Sequence, residues 1–229
     1  MDDKNFDEQT ALDWIQSVEG KRNIRESDIF PKLTVWMEKG KAQRILDIGC
    51  GQGFWSNCID LSSRNYTGVD PSPFMIKRAT ELYATSNRTF EVGNAYMLAF
   101  PDESFDSAFS VLVWHLLGDI RLAAQELSRV LKPRGKFFIV TANPTGYSAW
   151  MDLYTDSKLD GIRFEGTMKL SETISSHDVL YLHSFHAVEE ALLDNGLRID
   201  TTATFRKSKT SKELDYLLVI EGKKIGSGE

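Results

Sequence analysis

From about residue 44 onward the chain alternates short apolar runs with longer stretches of helical spacing. Ile45, Leu46 and Ile48 make the first run, over residues 44–48. Runs of strand length recur at 65–69, 88–92, 105–110 and 136–140, and two more close the chain at 197–205 and 214–221. Between them, residues 54–59 start a short helix. In 73–83, Met75, Ala79, Leu82 and Tyr83 share one helical face. Over 119–131, Ile120, Ala123, Ala124, Leu127, Val130 and Leu131 fall at helical intervals, and Lys132-Pro-Arg-Gly135 ends that helix. Ser72 before Pro73, and Ser184 before an apolar stretch closed by Gly196, are helix start and stop signals. Alternation of this kind predicts a parallel sheet with crossover helices. A polar turn joins the last two runs and makes that pair antiparallel.

Two segments depart from the rhythm. Residues 1–40 carry two helical stretches, 12–18 and 27–39, with Trp14, Ile15, Ile29, Leu33, Trp36 and Met37 as apolar positions and Gly40 placed for a C-cap. This reads as an N-terminal helical cap. Residues 141–182 hold Pro144, many serines and the scattered aromatics Tyr147, Trp150, Tyr154, Phe164 and Tyr181. A structureless loop of that length is unusual in a compact domain, so the segment is expected to be a lid or acceptor-binding insertion. The expectation is one domain over 1–229.

Composition removes several function classes. The net charge of −6 leaves no electrostatic footprint for nucleic acid or an anionic membrane, and the basic run Arg206-Lys-Ser-Lys209 reads as a solvated loop. Cys50 and Cys58 are too few for a disulfide framework, and the four histidines show no ligand spacing, so no metal is expected. The polar, acidic start shows no signal peptide, and no run of about 18 apolar residues could span a bilayer. A cytoplasmic protein with no membrane partner is expected; oligomeric state is not legible.

The first strand runs directly into Gly49-Cys-Gly-Gln-Gly53, a turn that lets a backbone approach a ligand. The second strand ends on Asp70, 17 residues after Gly53, near the spacing at which an acid reaches ribose hydroxyls. Ligands of open parallel sheets sit beyond such strand ends. The spacing is G-x-G-x-G, and Ser56 stands where a dinucleotide fingerprint has its third glycine. The carboxylate of Asp47, two residues before the turn, would repel a pyrophosphate and favour an ammonium group. A nucleoside with an amino-acid arm fits both features.

Leu46-Asp-Ile-Gly-Cys-Gly-Gln-Gly53 resembles motif I of the class I S-adenosylmethionine-dependent methyltransferases, and Tyr66-Thr-Gly-Val-Asp-Pro-Ser-Pro73 resembles their acidic second motif. Gly93-Asn-Ala95 with Phe100-Pro-Asp-Glu-Ser-Phe-Asp106, and Leu127-Ser-Arg-Val-Leu-Lys-Pro-Arg-Gly-Lys136, are similar to the adenine region and the turn before strand five. Four motifs stand in order over residues 40–140, and residues 181–199 resemble the family's last helix. The resemblance implies a Rossmann-like doubly wound α/β sheet of seven strands, mostly parallel with an antiparallel last strand, and helices on both faces. It implies S-adenosylmethionine as cofactor, S-adenosylhomocysteine as product, and a small-molecule methyl acceptor. By the same resemblance Asp47, Gly49, Cys50 and Gly51 face the methionine arm and adenosine, and Asp70 with Pro71 holds the ribose. Asn94 and Ala95 read the adenine, and Ser110 and Val111, just past strand four, line the floor beneath the sulfonium. Asn94 departs from the family's commoner Asp.

Methyl transfer from an activated sulfonium needs positioning more than proton chemistry, so a missing triad is no obstacle. Where the acceptor must lose a proton, His115 is the candidate catalytic base. His183 is expected to be structural, and His177 and His186 carry no signal. Trp114, Trp150, Tyr147 and Tyr181 could build an aromatic acceptor pocket, and Arg25 could pair with the cofactor's carboxylate. Two alternatives stay open: a cofactor-binding sensor or accessory protein without turnover, and a nicotinamide-dependent oxidoreductase.

Overall fold

Neighbouring apolar side chains in the strands point to opposite faces of the sheet, and both faces are covered. In the computed structural model, Leu46, Ile48, Ala108, Phe137, Ile139, Leu218 and Ile220 belong to one core, while Ile45, Phe109, Phe138, Val140, Leu217 and Val219 belong to the other. That period-two split explains why the strands read as nearly continuous apolar runs. The structure describes residues 11, 12, 15, 28–39, 42–169, 175–206 and 215–226. Trp14, Arg25, Gly40 and the basic residues of 207–209, together with most of the expected 12–18 helix, lie outside the described residues.

The main sheet contains β1 (Arg44–Ile48), β2 (Asn65–Asp70), β3 (Arg88–Val92), β4 (Phe105–Val111), β5 (Leu131–Ala142), β9 (Leu197–Arg206) and β10 (Asp215–Lys224). Its order is β3-β2-β1-β4-β5-β10-β9. The first five strands pair in parallel, and β10 is antiparallel to both β5 and β9. The order reverses between β1 and β4, which puts the ends of these strands at the switch point where open sheets bind ligands.

Helix α1 (Phe30–Glu38) lays Leu33, Trp36 and Met37 on one face, beside α2 (Phe54–Cys58). Helix α3 (Pro73–Tyr83) begins where the Ser72 hydroxyl accepts from the Met75 N–H. Helix α4 (Ile120–Val130) is capped by Asp119, whose carboxylate accepts from the N–H groups of Arg121 and Leu122. Helix α6 (Phe185–Leu193) is capped by Ser184 and buries Val188, Ala191 and Leu192 in the same core as the buried face of α4.

The insertion has structure of its own. After a single 3-10 turn at Pro144–Gly146 and the short helix α5 (Tyr147–Met151), strands β6 (Tyr154–Asp160), β7 (Arg163–Lys169) and β8 (Ser175–Tyr181) form a separate antiparallel sheet. Its polar, serine-rich sequence masks these strands because one face is solvated: in β8, Ser175 and His177 are exposed while Ser176 between them is buried. Strand five is also longer than its apolar stretch, since Leu131 already pairs with Phe105 before the Lys132–Gly135 turn.

Candidate active site

The glycine turn is held open by its own hydrogen bonds. The N–H groups of Gly49 and Cys50 both donate to the Val69 carbonyl, and Gly53 N–H donates to Cys50 O. Gly49, Gly51 and Gly53 all have positive φ, which glycine adopts without strain. Two of them differ in a telling way. A Cβ on Gly49 would sit 2.2 Å from Val113 Cγ2, whereas a Cβ on Gly51 would meet nothing within 4 Å. Gly49 is a packing glycine, and Gly51 faces open space at the mouth of a cavity.

Asp70 sits beside that opening. Its Oδ2 accepts from Gly51 N–H and its Oδ1 from Ser72 N–H, both at 2.9 Å. Burial raises its pKa against the pull of those two donors. Each oxygen keeps lone pairs for a further donor, as two ribose hydroxyls require.

The cavity runs from Gly49, Cys50, Gly51, Asp70 and Pro71 to Asn94 and Ala95 on one side, and to Val111, Leu112 and His115 on another. It then continues onto the small sheet at Tyr154, Met168, Ser176, Asp178 and Leu180. Among its described lining residues, Asp70 and Asp178 are acidic and none is Lys or Arg. Such a lining suits a cofactor that carries positive charge and disfavours one that carries phosphates.

Several expected site residues stand elsewhere. Asp47 is fully buried and is not part of the cavity lining. Tyr66 OH donates to its Oδ2 at 2.5 Å, and Oδ1 has no partner. Burial pushes its pKa up to about 8, which favours the neutral form at pH 7. The acidic residues that line the cavity are Asp70 and Asp178. Ser110 is the penultimate residue of β4 rather than a residue past it, and its hydroxyl donates to Ile48 O, tying β4 to β1. It is buried and off the cavity, while Val111 lines it. Cys50 lines the cavity as a buried thiol whose pKa is pushed up. Asn94 turns its Oδ1 onto the Tyr96 N–H at 2.9 Å, leaving its amide N–H donors for the cavity.

His115 lines the cavity but is not set up as a base. The Ala142 N–H points at its Nδ1 at 3.4 Å, with Thr141 Oγ1 at 3.2 Å. A backbone N–H can only donate, so Nδ1 accepts and the neutral ring carries its proton on Nε2. Burial lowers its pKa to about 4. His183 is structural, with Nε2 on Leu117 O at 2.6 Å. Of the four aromatics expected in an acceptor pocket only Trp150 lines the cavity, stacked on Tyr216 at 4.2 Å. Trp114 is core, and Tyr147 OH donates to His183 O.

Sequence reasoning missed Ser176, Asp178 and Leu180. Their period-two spacing was the available signal, obscured by the polar residues between and around them.

Residues 46–139 match the family described as a methyltransferase domain. Among curated proteins, the chain is 40% identical over 101 residues to a 2-methyl-6-phytyl-1,4-hydroquinone methyltransferase of Synechocystis sp., covering 43% of this chain and 32% of that protein. It is 31% identical over 106 residues to a fatty-acid O-methyltransferase of Mycolicibacterium smegmatis, covering 45% of this chain and 39% of that protein. The matched segment thus spans roughly a third to two fifths of the length of these two relatives. A solved S-adenosylmethionine-dependent methyltransferase from Clostridium acetobutylicum shares the fold with a TM-score of 0.69 at 14% identity, covering 94% of this chain and 98% of that one. Residues 46–139 are thus similar to the methyltransferase domain family, and the chain as described shares the fold of the S-adenosylmethionine-dependent methyltransferase.

Proposed function

We propose that this protein transfers a methyl group from S-adenosylmethionine to a small-molecule acceptor. The observation that carries the reading is the opening at Gly51 beside Asp70, in a cavity with no Lys or Arg among its described lining residues. Asp70 would hold the ribose, the backbone at Gly49 and Gly51 the amino-acid arm, and Asn94 with Ala95 the adenine. Bound there, the cofactor supplies a methyl group already activated as a sulfonium. The protein's own residues orient the acceptor and exclude water, for which orientation alone contributes about 7–11 kcal/mol. The small sheet, facing the cavity with Tyr154, Met168 and Leu180, acts as a lid that supplies the acceptor side. A small-molecule acceptor agrees with the hydroquinone and fatty-acid specificities in the relatives' names. A cytoplasmic setting agrees with Cys50 and Cys58, neither of which is in a disulfide.

Calorimetry with S-adenosylmethionine tests the proposal. Binding is expected, and Asp70→Ala should weaken it at least tenfold, since each hydrogen bond to a carboxylate is worth about 1.5–3 kcal/mol. Unchanged affinity in Asp70→Ala overturns the assignment. The donor state of His115 favours one other reading, binding without turnover, which S-adenosylhomocysteine formation with any acceptor would remove.

A further inference from the structure

The small sheet brings a carboxylate to the side of the cavity away from the glycine turn. Ser176, Asp178 and Leu180 alternate along β8 and all three line the cavity. Tyr154, Met168 and Ser176 stand in register across β6, β7 and β8, and they line it too. Asp178 is braced within this row. Tyr154 OH donates to its Oδ2 at 3.0 Å, and the Ser176 hydroxyl donates to its Oδ1. Two neutral donors fix the carboxylate without neutralising it, and each oxygen retains a lone pair. Trp150, Met168 and Leu180 are apolar lining residues of the same cavity.

Resting on the methyltransferase reading, we propose that Asp178 is a catalytic residue that receives the acceptor's proton, and that the acceptor is a hydroxyl group on an uncharged, apolar molecule. A carboxylate acceptor would face Asp70 and Asp178 with no described lining cation to offset either. An aliphatic amine is excluded differently: beside a carboxylate its ammonium form is favoured, and an ammonium has no lone pair to attack with. A hydroxyl has no such penalty. Its oxygen lone pair forms the bond to the methyl carbon, the carbon–sulfur electron pair stays on sulfur as a neutral thioether, and the O–H proton passes to Asp178.

The test uses the full chain and two matched probe pairs, 4-tert-butylphenol with 4-tert-butylbenzoate and dodecanol with dodecanoate. Tryptophan fluorescence without cofactor reads acceptor binding, and a labelled-methyl assay reads turnover. At least one hydroxyl probe should bind tenfold or more tightly than its carboxylate partner. Asp178→Asn should lower kcat about 100-fold while the dissociation constants for that probe and for S-adenosylmethionine move less than threefold. Equal or tighter carboxylate binding, or binding of neither hydroxyl probe, overturns the acceptor class. An unchanged kcat overturns the proton-accepting role. So does a joint loss of Tm and both affinities, provided Asp178→Glu, which keeps the carboxylate, does not restore turnover. Absent S-adenosylmethionine binding by the unmodified protein removes the methyltransferase reading itself, and this inference with it.

Discussion

Asp47 is an acid inside the sheet, and its cost should be measurable. It is fully buried, Oδ1 has no partner, and burial raises its pKa from 3.8 to about 8. A group whose folded pKa is raised stabilises fully below its unfolded pKa and loses that stability as pH rises through the folded value. Between pH 4 and 8 the folded chain therefore binds one more proton at this site than the unfolded chain, and stability falls by about 1.4 kcal/mol per pH unit. Asp47→Asn is isosteric, keeps an acceptor for Tyr66 OH, and cannot ionise. At pH 7 the substitution removes a one-proton difference acting over roughly three pH units, a gain of about 4 kcal/mol, large against a typical total of about 5–15 kcal/mol. Urea melts of both proteins at pH 5, 6, 7 and 8, extrapolated to zero denaturant, give the difference with every other titrating group cancelled. The advantage of the Asn variant should grow steadily with pH and level off near pH 8. A flat difference, or one that shrinks as pH rises, would mean that Asp47 is stabilised as a carboxylate, and the account of its burial would be wrong.

Three other substitutions and a pH profile separate packing from ligand contact. Gly49→Ala places a methyl 2.2 Å from Val113 Cγ2 at φ +79°, and thermal denaturation should show a loss of about 2–4 kcal/mol. Gly51→Ala, at φ +54° with open space around it, should lose only about 1–2 kcal/mol yet bind S-adenosylmethionine at least tenfold more weakly by calorimetry. Equal affinity would remove the ligand from that opening. His115, held neutral down to a pKa of about 4, should leave the methyl-transfer rate without an inflection near pH 6.5, and one centred there that disappears in His115→Gln would contradict its burial.

The sheet and the glycine-turn half of the cavity were legible in the amino-acid order because local rules set them. Strand spacing, the Ser72 and Ser184 caps, the glycine turn and Asp70 at a strand end each depend on neighbours within a few residues. Parallel strands with short crossovers then leave few topologies to choose among. What the sequence by itself could not determine was which way a side chain faces and what lies across from it. Asp47 and Asp70 are both strand acids near the same turn, yet only Asp70 reaches the cavity, because Asp47 projects into the core against Tyr66. Ser110 turns to Ile48 O, and His115 takes the Ala142 N–H, a partner 27 residues away. The small-sheet side of the cavity was least readable of all. Ser176, Asp178 and Tyr154 become a site only when β6, β7 and β8 pair, and pairing among strands with one polar, solvated face is a tertiary outcome that local propensity does not specify.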